Sequence, residues 1–135
     1  MRYFQAPTNG DIVWCLFPES LGKPGPKPRP ALIIEIAADS KNKPVVTVVY
    51  GTSKKLDRLY PSAFKIEKAD GASFSLSGLA ADTKFDFNHR VKLPYCTTWF
   101  GSAPGQPYVN QPKLGVLAPN LVARAKQAFD NSSKG

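Results

Sequence analysis

Histidine is nearly missing from this chain: His89 is the only one. A mechanism that needs an imidazole acid and an imidazole base in one chain is therefore excluded. Cysteine is scarce too, with only Cys15 and Cys96, both in apolar or aromatic settings. Two isolated thiols make no disulfide framework and point to a reducing compartment. With a single histidine far from either thiol, they offer no metal-ligand spacing, so neither a metal nor a cofactor is expected. Cys15 lies in an apolar run with no base beside it, a setting in which a thiol is usually inert. No segment approaches the roughly 18 apolar residues of a membrane helix, and the N-terminal MRYFQAPTNGD lacks the apolar stretch of a signal peptide. A soluble, cytoplasmic protein without a membrane partner is expected. Internal repeats and low-complexity tracts are also missing. At 135 residues the chain holds one modest core and no separate cofactor domain, so 1–135 reads as a single domain.

Acidic residues are outnumbered, and the formal charge is +8 at pH 7. Such a balance favours polyanions and says nothing of fold. Its distribution says more. Residues 1–19 carry one base against two acids, residues 20–60 eight against three, and residues 61–135 nine against five. The densest excess surrounds Arg29.

Residues 10–17, GDIVWCLF, follow a turn signal with a run of strand formers and predict a first strand. The next segment, PESLGKPGPKPRP, is too rich in proline and glycine to be regular, and carries Glu19, Lys23, Lys27 and Arg29. Pro24, Pro26, Pro28 and Pro30 hold it extended, and the prolines on both sides of Arg29 keep that residue out of a helix. An arginine so prepositioned suits a phosphate, although a solvated loop arginine would look the same. Residues 31–36 and 45–50 predict strands two and three in a meander that stops at Gly51. Residues 59–75 hold Phe64, Ile66 and Phe74 at alternating positions and suit short, half-exposed strands. Gly78 and Leu79 mark a turn. In TKFDFNHRVKLPY, Phe85, Phe87, His89, Val91 and Leu93 alternate in phase, so His89 is expected against the core rather than in a cleft. Tyr108, in a Gly/Pro-rich connection, is read as packing down rather than stacking on a base. Residues 121–129 predict the one helix, with Leu121, Val122, Ala125, Ala128 and Phe129 on one face and Pro119 at its start. The fold expected is mainly β, a small barrel of antiparallel strands capped by a C-terminal helix.

GDIVW, a basic loop, RPALII and a strand ending in GTS together resemble the MazF/PemK/Kid family of toxins from toxin–antitoxin modules. The resemblance is best over residues 10–53 and thins beyond them to the turn at Gly78 and Leu79, the strand around Phe85 and a terminal helix. It implies an SH3-like barrel, a homodimer, and a sequence-selective endoribonuclease. That enzyme would cut single-stranded mRNA without a metal, stop translation and growth, and be neutralised by a small acidic antitoxin. It also implies catalytic roles for Arg29 and Thr52, and in the plasmid-borne branch for an arginine that Arg90 matches. That branch has an aspartate two residues later, where this chain has Lys92. The segment 93–116 is longer than the family pattern.

Metal-free RNA cleavage requires in-line attack by the neighbouring 2′ hydroxyl, a base, an acid, and cations for the pentavalent charge. Arg29 suits the last role, since its guanidinium can grip two phosphate oxygens. Thr52 and Ser53 can donate to the same phosphate, or merely cap a turn. Glu19 is a candidate base, or a solvated loop glutamate. Lys23, Lys27, Lys54, Lys55 and Arg58 are candidate RNA-binding cations. The alternative is a noncatalytic SH3-like module that binds nucleic acid or peptide, with Lys92 in the acid's place as its motive.

Overall fold

The computed structural model describes residues 2–18, 23–25, 27–101 and 111–132. Glu19, Pro26 and Tyr108 lie outside the described residues. Strands β1 (Asp11–Cys15), β2 (Arg29–Ala38) and β3 (Pro44–Thr52) form the expected meander. Then come β4 (Ala63–Ile66), a short helix α1 (Ala72–Ser77), the long β5 (Thr83–Pro94), β6 (Lys113–Val116) and helix α2 (Val122–Asp130). The six strands described make one antiparallel sheet in the order β4-β5-β3-β2-β1-β6, curled into a half-barrel. Register breaks in the β1–β6, β2–β3 and β3–β5 pairs supply local bending.

The middle of the sheet is buried on both faces. Successive side chains point to opposite sides of a strand, and they divide between two cores. Ile12, Leu32 and Val49 join Phe64, Phe85 and Phe87 under Leu121 and the buried side of α2, formed by Ala125 and Ala128. Val13, Ala31, Ile33, Val46 and Val48 join Phe4, Leu93, Tyr95 and Phe100 on the other side. Segment 93–116 therefore covers the second face with Tyr95 and Phe100, then adds β6 beside β1.

Four expectations need correction. Strand β2 begins at Arg29, two residues before the predicted start, because Arg29 pairs with Cys15 and Pro30 with Trp14. Pro30 has no N–H to contribute, and the Trp14 carbonyl accepts instead from the Gly101 N–H at 3.1 Å. Phe74 lies on α1, not on a strand. The helix sits between Gly71 and Gly78, both at positive φ, and buries Ser73 and Ser77. The predicted face of α2 is split: Val122 and Phe129 are exposed, with the Phe129 ring edge-on to Phe87 at 5.5 Å.

The fourth correction concerns His89, which is exposed. Val49 pairs with Arg90 and Gly51 with Phe85, so a two-residue step along β3 faces a five-residue step along β5. The alternation loses phase there. Phe85 and Phe87 belong to one core, whereas Leu93 belongs to the other and Val91 packs against it.

Candidate functional site

The approach to Arg29 and the end of β3 meet because β2 and β3 are sheet neighbours. Gly51 makes the approach close. A Cβ at Gly51 would stand 2.7 Å from the Phe85 ring and 2.8 Å from the Pro30 carbonyl oxygen, so a side chain is excluded there. Beside this contact lies a cleft of about 330 Å³, within the range of small-ligand sites. Its walls include Trp14, Arg29, Thr52, Ser53, Gly78 and Leu79. Gly78 closes the far side from a left-handed helix cap, with backbone of β6 packed against it. Arg29 and Thr52, separate in sequence, thus face one cavity, and the Gly-Leu turn forms its opposite wall.

Thr52 also lines a second cleft, of about 410 Å³, with Tyr50, Lys54, Lys55, Arg58, Tyr60, Lys84, Asp86 and His89. Tyr50 and His89 pass into a third, where Phe17, Asn88 and Arg90 join them. The three form a chain of concavities rimmed by arginine and lysine. The Thr52 Oγ1 accepts a hydrogen bond from the Lys54 N–H at 3.1 Å, the turn-capping contact, and its own O–H is the donor it can offer the cleft. In the second cleft Asp86 is held in place: its Oδ1 accepts from the Ser62 hydroxyl at 2.7 Å and the Asn88 N–H at 3.0 Å.

The loop after Thr52 is pinned by a residue that the sequence did not single out. The Lys84 ammonium donates to the carbonyls of Lys55 and Arg58, each at 2.7 Å. Lysines reaching across a sheet to loop carbonyls leave no local signal, since donor and acceptors are 26 to 29 residues apart.

The other nominated residues are placed differently. Lys23 and Lys27 are exposed on the approach to Arg29, outside the walls of these three clefts. Arg90 lines the third cleft rather than the Arg29–Thr52 cleft, with its guanidinium 5.6 Å from the centre of the Phe129 ring. His89, read from the sequence as a core residue, is a cleft residue and the sole imidazole of the chain. Cys15 is buried, and burial pushes its thiol up to about 12. Among the described residues no group of three or more His, Cys, Asp or Glu is gathered as metal ligands, and no helix is long and apolar enough to cross a membrane.

Chemically, the first cleft offers a planar cation and hydroxyl donors, and the second continues with point charges. That order suits a phosphodiester with neighbouring phosphates. Among curated proteins no sequence matches this chain significantly. A family model described as PemK-like, MazF-like toxin of type II toxin-antitoxin system matches residues 8–90. The match runs from the turn before β1 into β5 and contains Arg29, Thr52, Gly78 and the 53–60 loop. The chain therefore belongs to the PemK-like, MazF-like family of toxins of type II toxin–antitoxin systems.

Proposed function

We propose that this toxin is a sequence-selective, metal-independent endoribonuclease acting on single-stranded RNA. The observation that carries the reading is that Arg29 and Thr52 line one cleft and that Thr52 opens it into a second, rimmed by Lys54, Lys55, Arg58 and Lys84. In the reaction, the 2′ oxygen forms a bond to phosphorus, its proton passes to a base, and the bond from phosphorus to the 5′ oxygen breaks as that oxygen takes up a proton. A 2′,3′-cyclic phosphate and a 5′ hydroxyl result. Arg29 would neutralise the pentavalent phosphorane through two nonbridging oxygens. Thr52 and Ser53 would donate to the same phosphate or orient the attacking hydroxyl. Lys54, Lys55 and Arg58 would hold flanking phosphates.

Unpaired RNA fits shallow, open concavities better than a closed A-form helix, whose base edges are inaccessible. We further read residues 1–135 as one toxin domain, cytoplasmic and dimeric, neutralised by an acidic antitoxin in the same basic clefts. Arg29→Ala is expected to lower cleavage by about hundredfold or more and to relieve growth arrest, with an unchanged circular dichroism spectrum. Full activity in that variant would sink the assignment.

The second reading, a noncatalytic RNA-binding module, draws on Arg90. It stands apart from the Arg29–Thr52 cleft and is followed by Lys92, not an acid. Such a protein would bind RNA with strong salt dependence and release it uncut.

A further inference from the structure

Tyr60 is the most exposed large apolar side chain among the described residues, at 58 %. Tyr60 stands on the wall between two concavities. One is the basic second cleft. The other is a broader cleft with Leu59, Pro61 and Arg124 on its walls. Leu59 beside it is 48 % exposed. Exposed rings on loops usually carry little meaning, but here the backbone that presents the ring is fixed. The Tyr60 carbonyl accepts from the Ala63 N–H at 2.9 Å, the Arg58 N–H donates to the Lys55 carbonyl at 3.0 Å, and Lys84 grips both Lys55 and Arg58. Lys55 itself adopts a left-handed conformation, φ 54°, as the turn requires.

We propose that Tyr60 is a base-stacking platform of the RNA site, held in position by Lys84. The proposal rests on the ribonuclease reading for its ligand class and deepens it. A strand whose phosphates lie along Lys54, Lys55 and Arg58 has its bases turned away from those charges, and the adjacent Tyr60 face receives one of them. The tyrosine hydroxyl stays wet while the ring is covered. A nucleobase is preferred to a protein side chain as occupant because four cations and one carboxylate, Asp86, line the basic cleft beside the ring. That balance suits a ligand with a charge on every repeat. Stacking a base on an aromatic ring tolerates any base identity and is a recurrent device for unpaired strands. Lys84 acts here as a positioning residue, through the loop and not by touching the base.

The test is binding of a single-stranded RNA of about 12 nucleotides, mixed in sequence and 2′-O-methylated so that it is not cut, followed by fluorescence anisotropy across a salt series. Tyr60→Ala and Tyr60→Leu are expected to weaken binding roughly ten- to hundredfold, with Tyr60→Phe close to wild type. The slope of log affinity against log salt should stay unchanged in all three, since no phosphate contact is lost. Lys84→Gln should weaken binding, and Tyr60→Ala should then cost little more. The platform is overturned by wild-type affinity in Tyr60→Ala or in Tyr60→Leu, or by a slope that falls together with affinity. It is overturned too if the wild type ignores RNA and an acidic peptide is the ligand that Tyr60→Ala loses. A wild type that binds RNA in this Tyr60-dependent way yet leaves a long RNA uncut in EDTA upholds the platform and overturns the ribonuclease reading alone.

Discussion

Arg29 stands at the first position of a strand, where pairing with Cys15 on one side and proline on either side in sequence fix its backbone. Its strand neighbour Cys15 is the contrast at the same scale. Burial pushes that thiol up to about 12, so at neutral pH it stays protonated inside the second core. Cys15 should therefore resist a thiol reagent in the native protein and react at the ordinary rate once guanidinium unfolds it. Fast native labelling at Cys15, mapped by mass spectrometry, would contradict the burial. At this scale, Arg29 and Thr52 were legible because each marks a junction in the chain, a proline frame in one case and the glycine ending an apolar run in the other. His89 was not. Its place depends on a register break between β3 and β5, and a break shows no mark in TKFDFNHRVKLPY, where the alternation of apolar residues continues without interruption.

Elements meet at this site through small residues and one long-range cation. Gly51→Ala should destabilise the protein by about 1–3 kcal/mol, because the Pro30 carbonyl oxygen, 2.8 Å from the new Cβ, belongs to a paired strand and has little room to yield. Urea unfolding measures this, and an unchanged midpoint would show that β2 and β3 can part at no cost. A second element contact titrates. Arg124 on α2 donates to Asp70 from both terminal nitrogens, at 3.1 and 3.2 Å, and the Glu67 N–H adds a third bond. The guanidinium and then that N–H hold the Asp70 carboxyl below the usual carboxylate range. A depressed folded-state pKa adds stability that is present above the unfolded value, near 4, and is lost as pH falls through the folded one. Arg124→Met should raise the Asp70 pKa in an NMR titration and flatten the acid limb of stability. An unmoved Asp70 would assign the shift to the backbone alone.

Strands β1 to β3, β5 and α2 were legible from their apolar runs and periodicity. Helix α1 was not, because ASFSLS alternates apolar and polar residues like a strand, while positive-φ glycines at its ends turn it into a helix that hides two serines. Strand β6 was missed because it is four residues long and one of them, Gly115, lies against α1 backbone where no side chain fits.

For the whole molecule, burial of the sheet on both faces limits where a ligand can act. Leu121, just before α2, and Ala125 and Ala128 of α2 cover one face, and segment 93–116 helps to cover the other. The clefts therefore open at strand ends and irregularities: the start of β2, the end of β3 and the broken register of β5. The cationic loop after Thr52 lies along the same line, and a net charge of +8 favours capture of a polyanion there. Family membership, the position of Arg29 and the basic rim are what support the proposal of RNA as the substrate. The most direct measurement is incubation of the purified protein with a long single-stranded RNA in EDTA, with Arg29→Ala in parallel, and mapping of every new end. The account predicts discrete cuts by the wild type alone, each leaving a 2′,3′-cyclic phosphate and a 5′ hydroxyl. RNA left intact in a salt-sensitive complex, or cut equally by Arg29→Ala, would contradict it.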